Sequence, residues 1–229
     1  SLKDVEFIEC GSAHAFCKTL NNEIYCWGSN KYGQLGLENR VRQNTPILCS
    51  SLLNEDVVDI KCGDSHTLVL TSKQHVLFSG IDDYLFSSSS SFRKMLNLPD
   101  IVRISSGYND ILCIDTKNDL YFTDDTHFKP NQKPLLSNII DISKGGHHNF
   151  AKNSNNEIYA WGNNEFYQLG LDIGMLGGHE DAPIRVLEDN EDIWYSNIPK
   201  SKAKSARSIL PRPSNEEDNS PPKKKQKTE

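Results

Sequence analysis

Four glycines in this chain are each followed, seventeen residues on, by a turn residue: Gly11 and Gly28, Gly63 and Gly80, Gly107 and Asp124, Gly145 and Gly162. That interval is constant, while the steps from one unit to the next (52, 44 and 38 residues) are not. Loops absorb insertions, but a strand that slips one residue against its partner turns its whole side-chain pattern over. A fixed interval between elastic spacers therefore marks a structural unit of paired strands, present four times. Each unit opens on an apolar-alternating run broken by a glycine: VEFIECGSAHAFC (5 to 17), VVDIKCGDSHTLVL (57 to 70), IVRISSGYNDILCI (101 to 114) and IIDISKGGHHNFA (139 to 151). The first and fourth continue as NNEIYCWGSNKYGQLGL (21 to 37) and NNEIYAWGNNEFYQLGL (155 to 171), which share twelve of seventeen positions.

Inside a unit the pattern predicts strand, tight turn, strand, polar turn, strand. In the second, VVDIKCG, HTLVLTS and HVLFSG are rich in β-branched and aromatic residues and are separated by Gly, Ser, Asp and Lys. Helical periodicity is weak. Units of about 45 residues with three or four short strands predict an all-β chain of stacked propeller blades rather than a helical solenoid. The expected division is a propeller portion over 1 to 193, with blades at about 4–55, 56–99, 100–138 and 139–193, and a tail over 194 to 229.

The spelling Gly-x-x-His, then Tyr-x-Trp-Gly-x-Asn-x-x-Gly-Gln-Leu-Gly, is carried by Gly11, His14, Tyr25, Trp27, Gly28, Asn30, Gly33, Gln34, Leu35 and Gly36. It resembles the repeat of the regulator of chromosome condensation (RCC1) family over about residues 4 to 190. The Trp-Asp propeller repeat would place Asp after the tryptophan. Departures are local. Unit two has Ser79 before Gly80 and YLFSSSSS (84 to 91) in place of the Gly-Gln-Leu-Gly loop; unit three has Asp110 for the histidine and Thr123-Asp124 for Trp-Gly; unit four has Tyr167 for the loop's first glycine. The resembled family usually closes seven blades in a ring, and four blades alone leave exposed strand edges at both ends. The expectation is therefore a portion of a longer propeller.

The resemblance also implies function. Propellers of this family serve as protein-interaction scaffolds, as exchange factors for a Ran-like small GTPase, and as accessory subunits of ubiquitin-ligase or tRNA-modification assemblies. In the exchange factors, Asp and His residues in such loops line the face that meets the GTPase, which makes His14, Asp64, His66, Asp110 and His148 the candidate partner-binding residues here. The competing reading of these histidines is that each imidazole fixes its turn by hydrogen bonding to backbone. Trp27, Trp161 and Gln-Leu-Gly (34 to 36 and 168 to 170) read as packing residues, the tryptophans filling wedges between blades and the turns docking on the neighbour.

No G-x-x-x-x-G-K-[ST], G-x-G-x-x-G, H-E-x-x-H or G-x-S-x-G occurs, so no catalytic residue, cofactor or metal is assigned. A metal cluster of His147, His148 and His179 lacks ligand spacing. Six cysteines without a C-x-x-C read as small buried hydrophobes in a reducing compartment. No apolar run reaches the roughly 18 residues of a membrane span.

Charge is unevenly divided. Residues 1 to 195 hold 16 Lys and Arg against 27 Asp and Glu (−11), and residues 196 to 229 hold 9 against 4 (+5). The acidic body disfavours direct nucleic-acid binding, leaving only weak phosphate contacts through the tail. The tail's Lys, Ser, Pro and Asn content is too poor in apolar residues to order a backbone. Its end, PPKKKQKTE, places Lys223, Lys224, Lys225 and Lys227 beside two prolines. That cluster resembles a nuclear import signal, which implies an import carrier as a partner and a nuclear location.

Overall fold

A computed structural model describes residues 2–82, 87–123, 133–171 and 178–186. These form four antiparallel sheets in chain order. The first is β1 (Val5–Cys10), β2 (His14–Thr19), β3 (Ile24–Gly28) and β4 (Gln43–Leu48). The second is β5 (Val57–Cys62), β6 (His66–Thr71), β7 (Val76–Asp82) and β8 (Ser87–Lys94). The third holds three strands among the described residues: β9 (Ile101–Ser106), β10 (Ile111–Asp115) and β11 (Leu120–Phe122). The fourth is β12 (Ile139–Lys144), β13 (His148–Asn153), β14 (Ile158–Asn163) and β15 (His179–Val186). A short 3-10 turn, Ser50–Leu52, follows β4.

The seventeen-residue interval has a direct structural cause. Its first glycine directly follows the opening strand, and in units one, two and four its last residue lies in the third strand. The two are held in step because the second strand pairs with both: His14, His66 and His148 stand opposite Gly28, Gly80 and Gly162. The hairpin between second and third strands turns through a left-handed residue at the same place in every unit, namely Asn22, Gln74, Asn118 and Asn156 (φ 63 to 65°). Asn adopts that conformation at low cost, which explains three of the four. A register shift recurs in the third strand at Trp27, Ser79 and Trp161. Gly80 follows it at φ +118°, where a Cβ would stand 2.3 Å from the Ser65 carbonyl, so only glycine fits.

The sheets pack face to face through alternating side chains. Phe16, Ile24 and Cys26 of the first sheet meet Val57, Ile60 and Val69 of the second. Leu68, Leu70 and Val76 meet Ile101, Ile104 and Ile111 of the third. Leu112, Ile114 and Leu120 meet Ile139, Ala151 and Trp161 of the fourth. Each Val, Leu, Ile or Phe among them contributes about 1.5–3 kcal/mol when fully buried. The opening strands run beside one another, and ion pairs cross between them: Lys61 to Glu9 at 3.6 Å and Arg103 to Asp141 at 3.0 Å.

Two sequence expectations change in detail. The serine run that replaces the loop in unit two is itself a strand, part of β8. Its small side chains let the preceding sheet's turn lie against it, Gly33 backing onto Ser90 so closely that a Cβ would come within 2.5 Å. Five of the six cysteines are buried and unpaired, as expected of small hydrophobes, whereas Cys10 is exposed. Burial pushes the Cys113 thiol up to about 12.

Candidate functional site

At one end of the stack the four Gly-x-x-His turns, or their variants, lie side by side. Backbone hydrogen bonds join them: Ser12 N–H donates to Gly63 O (3.4 Å), Asp64 N–H to Tyr108 O (3.1 Å) and Tyr108 N–H to Gly146 O (2.9 Å). The turns therefore form one continuous surface. Tyr108 and His147 are exposed there, their rings 5.1 Å apart, and Asp64 is half-buried.

Beneath this surface are the joints between sheets. His14 is buried and bonds through Nε2 to Thr67 Oγ1 of the next sheet (2.9 Å). The Thr67 hydroxyl donates to Gln34 O (2.7 Å), so its remaining role is to accept, and His14 must carry its proton on Nε2. The unprotonated Nδ1 has no partner, a smaller cost than burying an unbonded N–H. His66 repeats the arrangement one sheet further on, its Nε2 lying 2.7 Å from Ser106 Oγ. The glycine of the motif makes room for the ring: a Cβ on Gly63 would stand 2.2 Å from His66 Cε1. Burial holds His14 down to about 4 and His66 to about 3, keeping both neutral. His148 is half-buried and shifted the same way by burial, with Lys144 adding to it.

The third joint uses different chemistry. Asp110, standing where the histidine should be, receives Lys144 Nζ from the fourth sheet at 2.5 Å, and the same ammonium donates to Asn149 Oδ1 at 2.5 Å. Lys144 precedes its glycine as Ser106 precedes Gly107, so the two occupy equivalent positions. Its chain fills the space an imidazole would take, since a Cβ on Gly107 would lie 2.4 Å from Lys144 Cε. A buried ion pair thus replaces an imidazole–hydroxyl pair.

The Gly-Gln-Leu-Gly turn of the first sheet docks on the second. Gly33 O accepts from Ser79 Oγ (2.6 Å), Gln34 O from Thr67 Oγ1, and Leu35 enters the core. Buried Asn30 pins it, its Oδ1 accepting from Leu35 N–H at 3.0 Å; Asn164 does the same for Leu169. Trp161 packs edge-on against Phe122 of the preceding sheet, as a wedge-filling residue should.

Three of the five candidate residues, His14, His66 and Asp110, are therefore buried joints, while Asp64 and His148 are half-buried. His14 and His66 each bond to a hydroxyl of the next sheet, Thr67 and Ser106, from a ring packed over the glycine of its own turn. Tyr108 was not singled out by sequence, and His147 was weighed only as a metal ligand; their signal as surface residues is their place at the two variable positions of Gly-x-x-His. Among the described residues no group of His, Cys, Asp and Glu is arranged to hold a metal. Lys223, Lys224, Lys225 and Lys227 lie outside the described residues.

Antiparallel sheets stacked face to face, each tied to the next by its opening turn, define a repeat protein of propeller-blade type. The chain is more specifically an RCC1-type repeat protein: the regulator of chromosome condensation (RCC1) repeat matches residues 21–70, and a second description of the same repeat matches 5–34 and 139–168. It is 30% identical over 208 residues to Protein pim1 of Schizosaccharomyces pombe, covering 89% of this chain and 32% of that protein. It is 28% identical over 204 residues to Protein RCC1 of Candida albicans, covering 84% and 39%. Prp20p from Saccharomyces cerevisiae, whose structure was described with its binding properties to Gsp1p and histones, aligns with TM-score 0.67 at 20% identity over 82% of this chain and 52% of that one. Yeast RCC1 (Prp20) bound to Kap60 aligns equally well, at 18% identity over 82% and 50%. The chain thus spans under two-fifths of these curated relatives and about half of the solved chains.

Proposed function

We propose that this chain is a protein-interaction scaffold whose binding surface is the row of joined turns carrying Asp64, Tyr108, His147 and His148, with His14, His66 and Asp110 holding that row in place from below. The observation that carries the reading is the division of labour at that end. The buried polar groups are spent on joints between sheets, while a continuous, hydrogen-bonded backbone surface with an aromatic pair and a carboxylate faces outward. A rigid platform of this kind loses little entropy on binding a partner.

The partner that the relatives favour is a small GTPase of the Gsp1p type, and the second reading is that this chain promotes its nucleotide exchange. Exchange needs no acid–base pair, only tighter binding to the nucleotide-free GTPase than to the loaded one. The test mixes the full chain with a Ran-type GTPase loaded with fluorescent GDP and follows both complex formation and release. Binding that falls at least tenfold on replacing Asp64, Tyr108 and His147 together by Ala supports the scaffold, and accelerated release supports exchange as well. Binding without release removes exchange. Binding indifferent to the triple replacement removes this surface.

We further infer a nuclear location, on the lysine cluster and on the relative solved with Kap60. Replacing Lys223, Lys224, Lys225 and Lys227 by Ala should move a tagged full chain from nucleus to cytoplasm; an unchanged distribution would exclude the signal.

A further inference from the structure

The joint between the third and fourth sheets leaves a cleft of about 360 Å³; its counterpart lies between the first two sheets. There, two side chains of the second sheet, Thr67 and Ser79, receive the backbone carbonyls of Gln34 and Gly33 from the first sheet's turn. The equivalent positions of the fourth sheet, four and sixteen residues after the unit's glycine, are Asn149 and Trp161. Both line the cleft, with Phe122, Gly162 and Glu180 beside them. Asn149 is engaged, accepting from Lys144 and donating to Trp161 O. Trp161 is 2% exposed, yet its Nε1–H has no hydrogen-bond partner. An indole N–H is a donor only, and leaving it buried and unbonded is costly. It stands where the homologous hydroxyl meets a carbonyl.

The wall has a second character. Glu180, half-buried, and Asp181, exposed, extend from β15 at the mouth, and Asp181 is 2.9 Å from His179. Phe122, half-buried, supplies aromatic surface. A carbonyl for the indole and a planar, bidentate cation for the Glu180 carboxylate are together offered by one kind of ligand, a peptide turn bearing arginine.

We propose that this cleft is a docking site for an arginine-bearing turn of a partner protein, which takes the place that Gly-Gln-Leu-Gly holds between the first two sheets. The proposal rests on reading this end of the stack as a protein-binding surface and names the chemistry of what enters it. The rival occupant is the chain's own segment 124–132, which comes soon after β11 in sequence as the Gly-Gln-Leu-Gly turn comes soon after β3. That segment spells DDTHFKPNQ and has neither the turn's glycines nor an arginine.

The test observes the indole directly. The full chain, with its three tryptophans labelled with 15N, gives one side-chain N–H signal each, and Trp161→Phe identifies that of Trp161 by erasing it while the other two stay in place. Acetyl-Gly-Arg-Leu-Gly-amide should move the Trp161 signal downfield and saturably. Glu180→Gln should weaken that binding about fivefold, the worth of a part-exposed charge contact, and the Gln peptide should bind more weakly than the Arg peptide. A Trp161 signal unmoved up to the peptide's solubility limit would overturn the proposal and leave the GTPase-binding experiment untouched. So would an indole N–H protected from exchange without peptide and exposed when 124–132 is replaced by Gly and Ser, since the chain would then fill its own cleft.

Discussion

Replacing Asp110 by Ala should destabilise the chain by about 3–5 kcal/mol, the cost of removing one member of a buried ion pair. The Lys144 side chain is wholly buried and Asp110 only 8% exposed, so water cannot take over the lost contact. Asn149 Oδ1 and the Phe122 ring, 5.7 Å from the ammonium, soften the loss without neutralising the charge. Urea denaturation at pH 7 measures the change, and Arg103→Ala provides the contrast. Arg103 and Asp141 lie 3.0 Å apart but are both more than half exposed, and their loss should cost at most about 1 kcal/mol. The decisive variant is the double replacement Asp110→His, Lys144→Ser, which writes the His66–Ser106 joint into the third interface. Removing the lysine chain empties the space over Gly107 that an imidazole occupies in the other units. The double variant should recover to within about 1 kcal/mol of the parent, while each single change remains several kcal/mol below it. Equal losses in the double and single variants would show that the two joints are not interchangeable.

That pairing also shows where the sequence stops being legible. The interval of seventeen could be read because it spans strands paired to the same middle strand, so any insertion would turn side chains over. The polar turn at Asn22, Asn118 and Asn156 was readable for the same reason. Contacts between units carry no such constraint on spacing. His14 reaches Thr67 across 53 residues and His66 reaches Ser106 across 40, and the linkers between units differ in length. Nothing local marks Thr67, Ser106 or Lys144 as partners. Sequence therefore presented the histidines as candidates for a binding face, while burial and cross-sheet geometry make three of the five positions joints. The same gap hid Trp161: its packing role was legible, but its unbonded N–H exists only because Asn149 and Trp161 stand where smaller hydroxyl side chains meet a turn in the second sheet. The serine run of β8 was illegible for a related reason, since its composition suits a loop and its strand form comes from pairing with β7.

The two neutral histidines should make stability fall steeply in mild acid. Burial lowers His14 to about 4 and His66 to about 3, whereas in the unfolded chain both titrate near the ordinary value of 6.5. Between those limits the unfolded state binds protons that the folded state refuses, so stability is complete above about pH 6.5 and declines as pH falls. Each histidine contributes a slope of up to about 1.4 kcal/mol per pH unit, and the pair should cost about 5 kcal/mol between pH 6.5 and 4.5. Urea midpoints across that window measure the slope. His14→Gln with His66→Gln should flatten it, although the double variant starts from a lower stability at pH 7 because two joints are altered. A parent slope unchanged by the double replacement would assign the acid sensitivity to other groups. The consequence reaches the proposed binding surface through geometry, since the Gly-x-x-His turns are held from below by these rings and to each other by the bonds from Ser12 to Gly63 and from Asp64 to Tyr108. Protonation that opens the joints should release the row of turns before the hydrophobic faces separate, so affinity for a partner at that surface should decline at a higher pH than the urea midpoint collapses. Loss of both at one pH would mean that the turns and the cores open as a single unit.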